Sequence, residues 1–186
     1  MSRTPSPALA FYLRHPADFD ALGDLDEAPK GVSAEDWQKF SDVAMKAGEH
    51  AANVVIACRD RAVQAFSTRF RVNSKTRPPK ARQSWWANAE MHATKPNALK
   101  SFYLVCGLGA DPDERTFLYS CVMPARAAER KDLLDRLKAA KLSVLPADWI
   151  DDDCITLALV PVDPKTDLEA AMAACVQPLL ELARAL

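Results

Sequence analysis

Between residues 84 and 93 the sequence Ser-Trp-Trp-Ala-Asn-Ala-Glu-Met-His-Ala alternates so that Trp86, Asn88, Glu90 and His92 fall on one phase of a two-residue repeat. On a β-strand that repeat places them on one face, with Trp85, Ala87, Ala89 and Met91 on the other. A carboxylate and an imidazole two residues apart on one face form an acid–base pair. A nearby amide and indole add a polar anchor and an aromatic wall. Any half-solvated strand shows the same alternation, however, and no nucleophile or second carboxylate is identifiable on a neighbouring strand. The row therefore reads first as a surface, and no catalytic residue is assigned.

A second chemical signal lies just upstream. From Arg61 to Ala89 there are seven basic residues and no acidic one, in a chain whose net charge is −1, so the remaining residues sum to −8. Six of those cations, Arg69, Arg71, Lys75, Arg77, Lys80 and Arg82, fall within fourteen residues and are bracketed by Phe70 and Trp85-Trp86. Mobile cations take phosphates, and exposed aromatic planes take unstacked bases. The competing account is neutralisation of this segment by acids of the same chain, such as those between Asp18 and Glu27.

Two near-matches to known motifs fail on chemistry. Asp18, Asp20, Gly23, Asp24 and Asp26 occupy calcium-loop positions, but Leu22 stands at the fifth place and Pro29 at the twelfth, where a bidentate Glu belongs. Asp113, Glu129 and Lys131 have the spacing of a Mg²⁺-dependent nuclease set, but the first sits in a turn. The other two, two apart on a helix, point about 200° away from each other. The five cysteines, Cys58, Cys106, Cys121, Cys154 and Cys175, are odd in number and far apart, without a CxxC or a close Cys/His pair. They read as buried, reduced thiols, which makes the cytoplasm the expected compartment. No metal or other cofactor is implied. No apolar run approaches the roughly 20 residues of a membrane span, and the first ten residues lack the apolar core of a secretory signal.

The elements that must hold these residues follow from periodicity. Residues 1–32 read as an acidic, Pro-containing, loosely packed arm with at most a turn of helix near Leu9–Arg14. Ser33 reads as the cap of a long helix. Trp37, Phe40, Ala44, Ala47, Ala51, Val54 and Cys58 then recur at steps of three and four, predicting a helix to about Phe66 and some 50 Å long. Thr68–Val72 alternates like a short edge strand, and residues 73–83, with Pro78-Pro79, form a basic loop. Ser84–Ala93, Ser101–Leu108, Thr116–Met123 and Cys154–Val162 read as strands, with Gly107–Asp113 as a hairpin turn between the second and third. Ala125–Lys141, with Leu133, Leu134 and Leu137 inward, and Asp167–Leu186 read as helices. The expected class is α+β: an antiparallel four-stranded sheet, five-stranded if Thr68–Val72 joins it, covered by helices. Residues 33–186 form one domain in the order long helix-β-β-β-α-β-α.

No convincing catalytic set emerges, so the favoured function is that of a non-catalytic interaction protein of the adaptor, chaperone, inhibitor or immunity type. Its partner is macromolecular, protein before nucleic acid, and no membrane is involved. The candidate contact residues are Arg69, Arg71, Lys75, Arg77, Lys80, Arg82, Trp86, Glu90 and His92. The alternatives are a nucleic-acid-binding accessory protein using residues 69–86 and a small enzyme using the Trp86–His92 row. The three-four seam of residues 37–58 further suggests a homodimer.

Overall fold

The computed structural model describes residues 3–23, 25, 27–73, 85–94, 101–147, 150 and 152–186. Three helices come first: α1 (Pro7–Tyr12), α2 (Pro16–Gly23) and α3 (Ala34–Phe66). Strands β1 (Phe70–Asn73), β2 (Trp85–Ala93), β3 (Ser101–Ala110) and β4 (Thr116–Pro124) follow. A 3-10 turn (Ala127–Glu129) leads into α4 (Arg130–Ala139), and β5 (Ile155–Pro161) and α5 (Leu168–Ala185) close the chain. The strands pair antiparallel in chain order, β1-β2-β3-β4-β5, so the fold is α+β with the short first strand as a fifth, edge member.

Among the described residues of 1–32, two helices replace the expected loose arm, and α1 packs into the core. Ser6 caps α1 by accepting a hydrogen bond from the Leu9 N–H, and Leu9, Tyr12, Leu13 and Phe19 are buried in the main core. Phe19 packs edge-on to Tyr12 and meets Phe40 of α3 at 5.3 Å, and Phe40 in turn stacks on Trp37. Burial of these aromatic side chains outweighs the local cost of Pro7 and Pro16, each of which stands at the first position of its helix, where no N–H is required. Asp18 lies within α2, so the segment that resembled a calcium loop is partly helical.

Helix α3 starts where expected: the Ser33 Oγ accepts from the Asp36 N–H at 3.1 Å, and Glu35 and Asp36 stand in the first turn. Its stripe Ala44, Ala47, Ala51, Val54 and Cys58 is buried, with Ala47, Ala51 and Cys58 wholly inaccessible. The helix packs on α1, α5, β2 and β3 of its own chain. The seam that suggested pairing of two copies is therefore used within one. Its small side chains admit the neighbouring elements closely, and from Ala44 to Cys58 the stripe is covered. No helix among the described residues is long and apolar enough to cross a membrane.

The same face of the sheet carries Ala87, Ala89, Met91, Phe102, Leu104, Cys106, Leu108, Leu118 and Val122, all buried under α3 and α5. Helix α5 is seated by Leu168, Met172, Cys175, Leu179 and Leu182. In α4, Leu133 and Leu137 point inward, but Leu134 is 37% exposed, because one helical step rotates it about 100° off their line. Strand β5 holds an extra residue between the pairs Ser120–Ala158 and Cys121–Thr156.

The β3–β4 turn falls later than the sequence suggested. Gly107–Ala110 belong to β3, and the reversal is made by residues 111–115. Asp111 builds it: Oδ1 accepts from the N–H groups of Asp113 and Arg115, and Oδ2 accepts from Arg115 Nε at 2.8 Å. Desolvation pushes the Asp111 carboxyl upward, but these donors and the guanidinium outweigh it and hold it below the usual carboxylate range. Asp113 and Glu129 consequently lie beyond opposite ends of β4, about 30 Å of strand apart, which rules out a shared metal between them.

Candidate interaction surface

With the helices on one face, the residues of the other phase form the second face of the sheet. Strand β2 contributes Trp86, Asn88, Glu90 and His92, as the alternation predicts. The register then determines what stands beside them. Glu90 lies between Asn73 of β1 and Tyr103 of β3, and His92 lies between Arg71 and Ser101. Asn88 is opposite Val105, and Trp86 is opposite Gly107.

Three groups converge on the Glu90 carboxylate. His92 Nε2 lies 3.3 Å from Oε2, Asn73 Nδ2 reaches the same oxygen at a long 3.5 Å, and the Tyr103 phenol stands at the paired position of β3 beside the carboxylate. Partial burial, and after it the Glu90 charge, push the Tyr103 phenol above its usual value, which keeps it a protonated donor. The His92 side chain is 42% exposed and that of Glu90 24%, so the group sits on an open surface. Such a cluster fixes the orientation of its members and presents an imidazole and a phenol for hydrogen bonding to a partner.

Toward β4 and β5 the same face becomes apolar. Val105, Tyr119 and Cys121 form a small second core, flanked by Tyr103, Ile150, Cys154 and Leu159. Gly107 explains how Tyr119 lies there. Tyr119 pairs with Gly107 across β3–β4, and a Cβ on Gly107 would overlap the Tyr119 ring. The missing side chain lets the ring lie flat on the sheet, next to the Trp86 position on the far side of the glycine. Trp86 itself is 45% exposed.

The thiols divide between the two faces. Cys58, Cys106 and Cys175 meet in the main core between α3, β3 and α5, and Cys121 and Cys154 meet in the small one. All five are free, and all but Cys154 are buried. Neighbouring thiols and burial push Cys58, Cys121 and Cys175 above the usual thiol range, so each stays protonated and inert. Among the described residues no group of three or more His, Cys, Asp or Glu side chains is arranged to hold a metal ion.

Of the sequence-derived contact residues, Arg71, Trp86, Glu90 and His92 come together on or beside the open face. Arg69 is exposed just ahead of β1, and its carbonyl accepts from Thr94 at the far end of β2. Lys75, Arg77, Lys80, Arg82 and the Trp85 side chain lie outside the described residues. Asn73, Tyr103 and Met123 belong to the surface without having been expected there, and the buried Tyr119 underlies it. Tyr103 was legible from the alternation of Ser101–Leu108, but its position opposite Glu90 required the register. No family model, curated protein or solved structure matches the chain.

Proposed function

We propose that this chain is a non-catalytic binding protein that holds a macromolecular partner, in the first place another protein, against the open face of its sheet. The observation that carries the reading is the composition of that face. The face carries a half-exposed Trp86 at one end of β2 and Tyr103, Met123 and Leu159 on the neighbouring strands, with Arg71 at the β1 edge. Tryptophan, tyrosine, methionine and arginine are the side chains in which protein interfaces are enriched. The Glu90–His92–Tyr103 group supplies polar contacts within the patch. A carboxylate in the middle of the surface favours a protein over a phosphate backbone. The cluster also lacks the enclosure that makes an acid–base pair useful in catalysis, which places an enzyme third.

The test is recovery of partners from the native cell with wild-type protein and with Trp86→Ala and Tyr103→Ala variants, each checked for an unchanged unfolding temperature. A protein that co-purifies with wild type should fall by about tenfold or more with Trp86→Ala, the loss expected of a central aromatic anchor. Recovery that ignores both substitutions would remove the sheet face from consideration.

A further inference from the structure

A cleft of about 960 Å³ lies between α1 and α3, away from the sheet. One row of α3, Lys39, Val43, Lys46, His50 and Asn53, advances at steps of four and three and lines one wall. Phe40 and the α1 residues Pro7, Ala8 and Phe11 complete it. From Lys39 to Asn53 the wall is about 21 Å long at 1.5 Å per residue. Phe11 is 43% exposed although it packs on His15 and Phe19, so one edge of an aromatic cluster is left open to the cleft.

The polar groups are not scattered evenly. Lys39 is held by Glu35 at 2.7 Å and by Asp36 at 3.7 Å. Lys46 takes part in no ion pair among the described residues. One turn on, His50 Nδ1 accepts the backbone N–H of Ser6 at 3.1 Å, which ties the start of α1 to α3 and fixes the width of the cleft at this end. Burial lowers the proton affinity of the ring, so it is neutral near pH 7, and with Nδ1 accepting, the ring proton resides on Nε2. From the middle of the α3 wall toward Asn53 the cleft thus offers an ammonium and an imidazole N–H, and Glu49 beside them discourages a ligand of higher negative charge. The rest is apolar. A concave, mostly apolar site with a few convergent polar groups, in the range of about 300–1,000 Å³, is the form of a small-ligand site.

We propose that the α1–α3 cleft binds an amphipathic monoanion, a carboxylate on an elongated apolar chain, with the chain on Phe11, Phe40 and Val43 and the carboxylate between Lys46 and His50 Nε2. From Lys46 back to Lys39 about 10 Å of wall, at 1.5 Å per residue, is left for the chain, and the charge-assisted hydrogen bond from Lys46 selects the head group. This site does not depend on the sheet face, so either assignment can fail without the other.

Dodecanoate is a suitable probe, titrated below its micellar concentration into the full chain. Dodecanol, with the same chain and no charge, serves as the comparison. Dodecanoate should bind with one-to-one stoichiometry and dodecanol more weakly by about tenfold or more. Lys46→Glu, a change at an exposed position, should weaken dodecanoate by a similar factor and leave dodecanol nearly unchanged. Val43→Trp should fill the cleft and abolish both. If that variant unfolds, Phe11→Ala replaces it, with both ligands weakened. Absence of dodecanoate binding up to its solubility overturns the proposal, as does binding insensitive to Lys46→Glu. Binding of an amphipathic helical peptide at this cleft, with dodecanoate unable to displace it, would also overturn it and make the cleft a helix groove.

Discussion

Gly107 shows how one residue type shapes the open face. In the interior of a strand, glycine normally weakens the sheet, because it adds backbone entropy and packs nothing. Here its place is taken by the Tyr119 ring, and the phenol is pushed above its usual value by burial in a glycine's footprint. Gly107→Ala should therefore destabilise the protein by about 1–3 kcal/mol, the usual result of overpacking, although alanine is the better strand former. Thermal unfolding measures the loss. In the Tyr119→Ala background the same substitution should be nearly neutral, because the ring that obstructs the Cβ is gone. Equal losses in both backgrounds would mean that the glycine is needed for backbone reasons and not for the ring. Ser120, the next residue on β4, turns to the opposite face, where its wholly buried hydroxyl donates to the Cys175 carbonyl at 2.6 Å and links β4 to α5.

At the scale of elements, α5 is the lid on the main core. Leu179 and Leu182 are both inaccessible to solvent, and α5 packs on α3, β4 and β5. Each Leu→Ala change in such a setting costs about 2–5 kcal/mol against a total stability of about 5–15 kcal/mol. The double variant should accordingly lose its cooperative unfolding transition as a whole. A sharp transition near the wild-type temperature would show that α5 is peripheral. This helix, α3 and strands β2 to β5 were legible in the sequence because each carries a sustained apolar period. The limits of α3 fell within a residue because Ser33 is a capping residue at its start. Helix α1 was legible only as a turn near Leu9–Arg14, and α2 was missed, for the converse reason: six and eight residues are too short to display a period, and their prolines read as breakers although each stands at a helix start. Leu9, Tyr12, Leu13 and Phe19 did carry a three-four spacing that compositional reading of an acidic arm obscured. The polar row of β2 was legible as a row, but its partners Asn73 and Tyr103 depend on strand register, which the misplaced β3–β4 turn had left open.

The whole molecule sets a basic segment against an acidic remainder, and this contrast decides between a protein and a nucleic acid as partner. Arg61 is already taken by Glu169 of α5 at 2.7 Å, whereas Arg69 and Arg71 are exposed beside the open face. If the segment bound phosphates, affinity for single-stranded RNA or DNA would fall steeply with salt, since each neutralised phosphate releases condensed counterions. Reversing Arg69, Arg71 and Arg82 to Glu would then abolish binding, and the exposed charges of Arg69 and Arg71 contribute little to stability. Trp86→Ala would weaken binding by about 1–3 kcal/mol with little change in the salt slope, as loss of a stacking plane does. The expected result is different. Apart from the segment the chain carries a charge of −8, and Glu90 stands in the middle of the face, so a polyanion approaching Trp86 meets repulsion as soon as it leaves the cations. Wild-type protein should therefore show negligible binding to single- or double-stranded nucleic acid even at low salt. The triple reversal should leave that unchanged while reducing recovery of the protein partner, because the cations then serve an acidic patch on that partner. A steep salt slope that the triple reversal removes would transfer the open face to nucleic acid and displace the protein partner from first place.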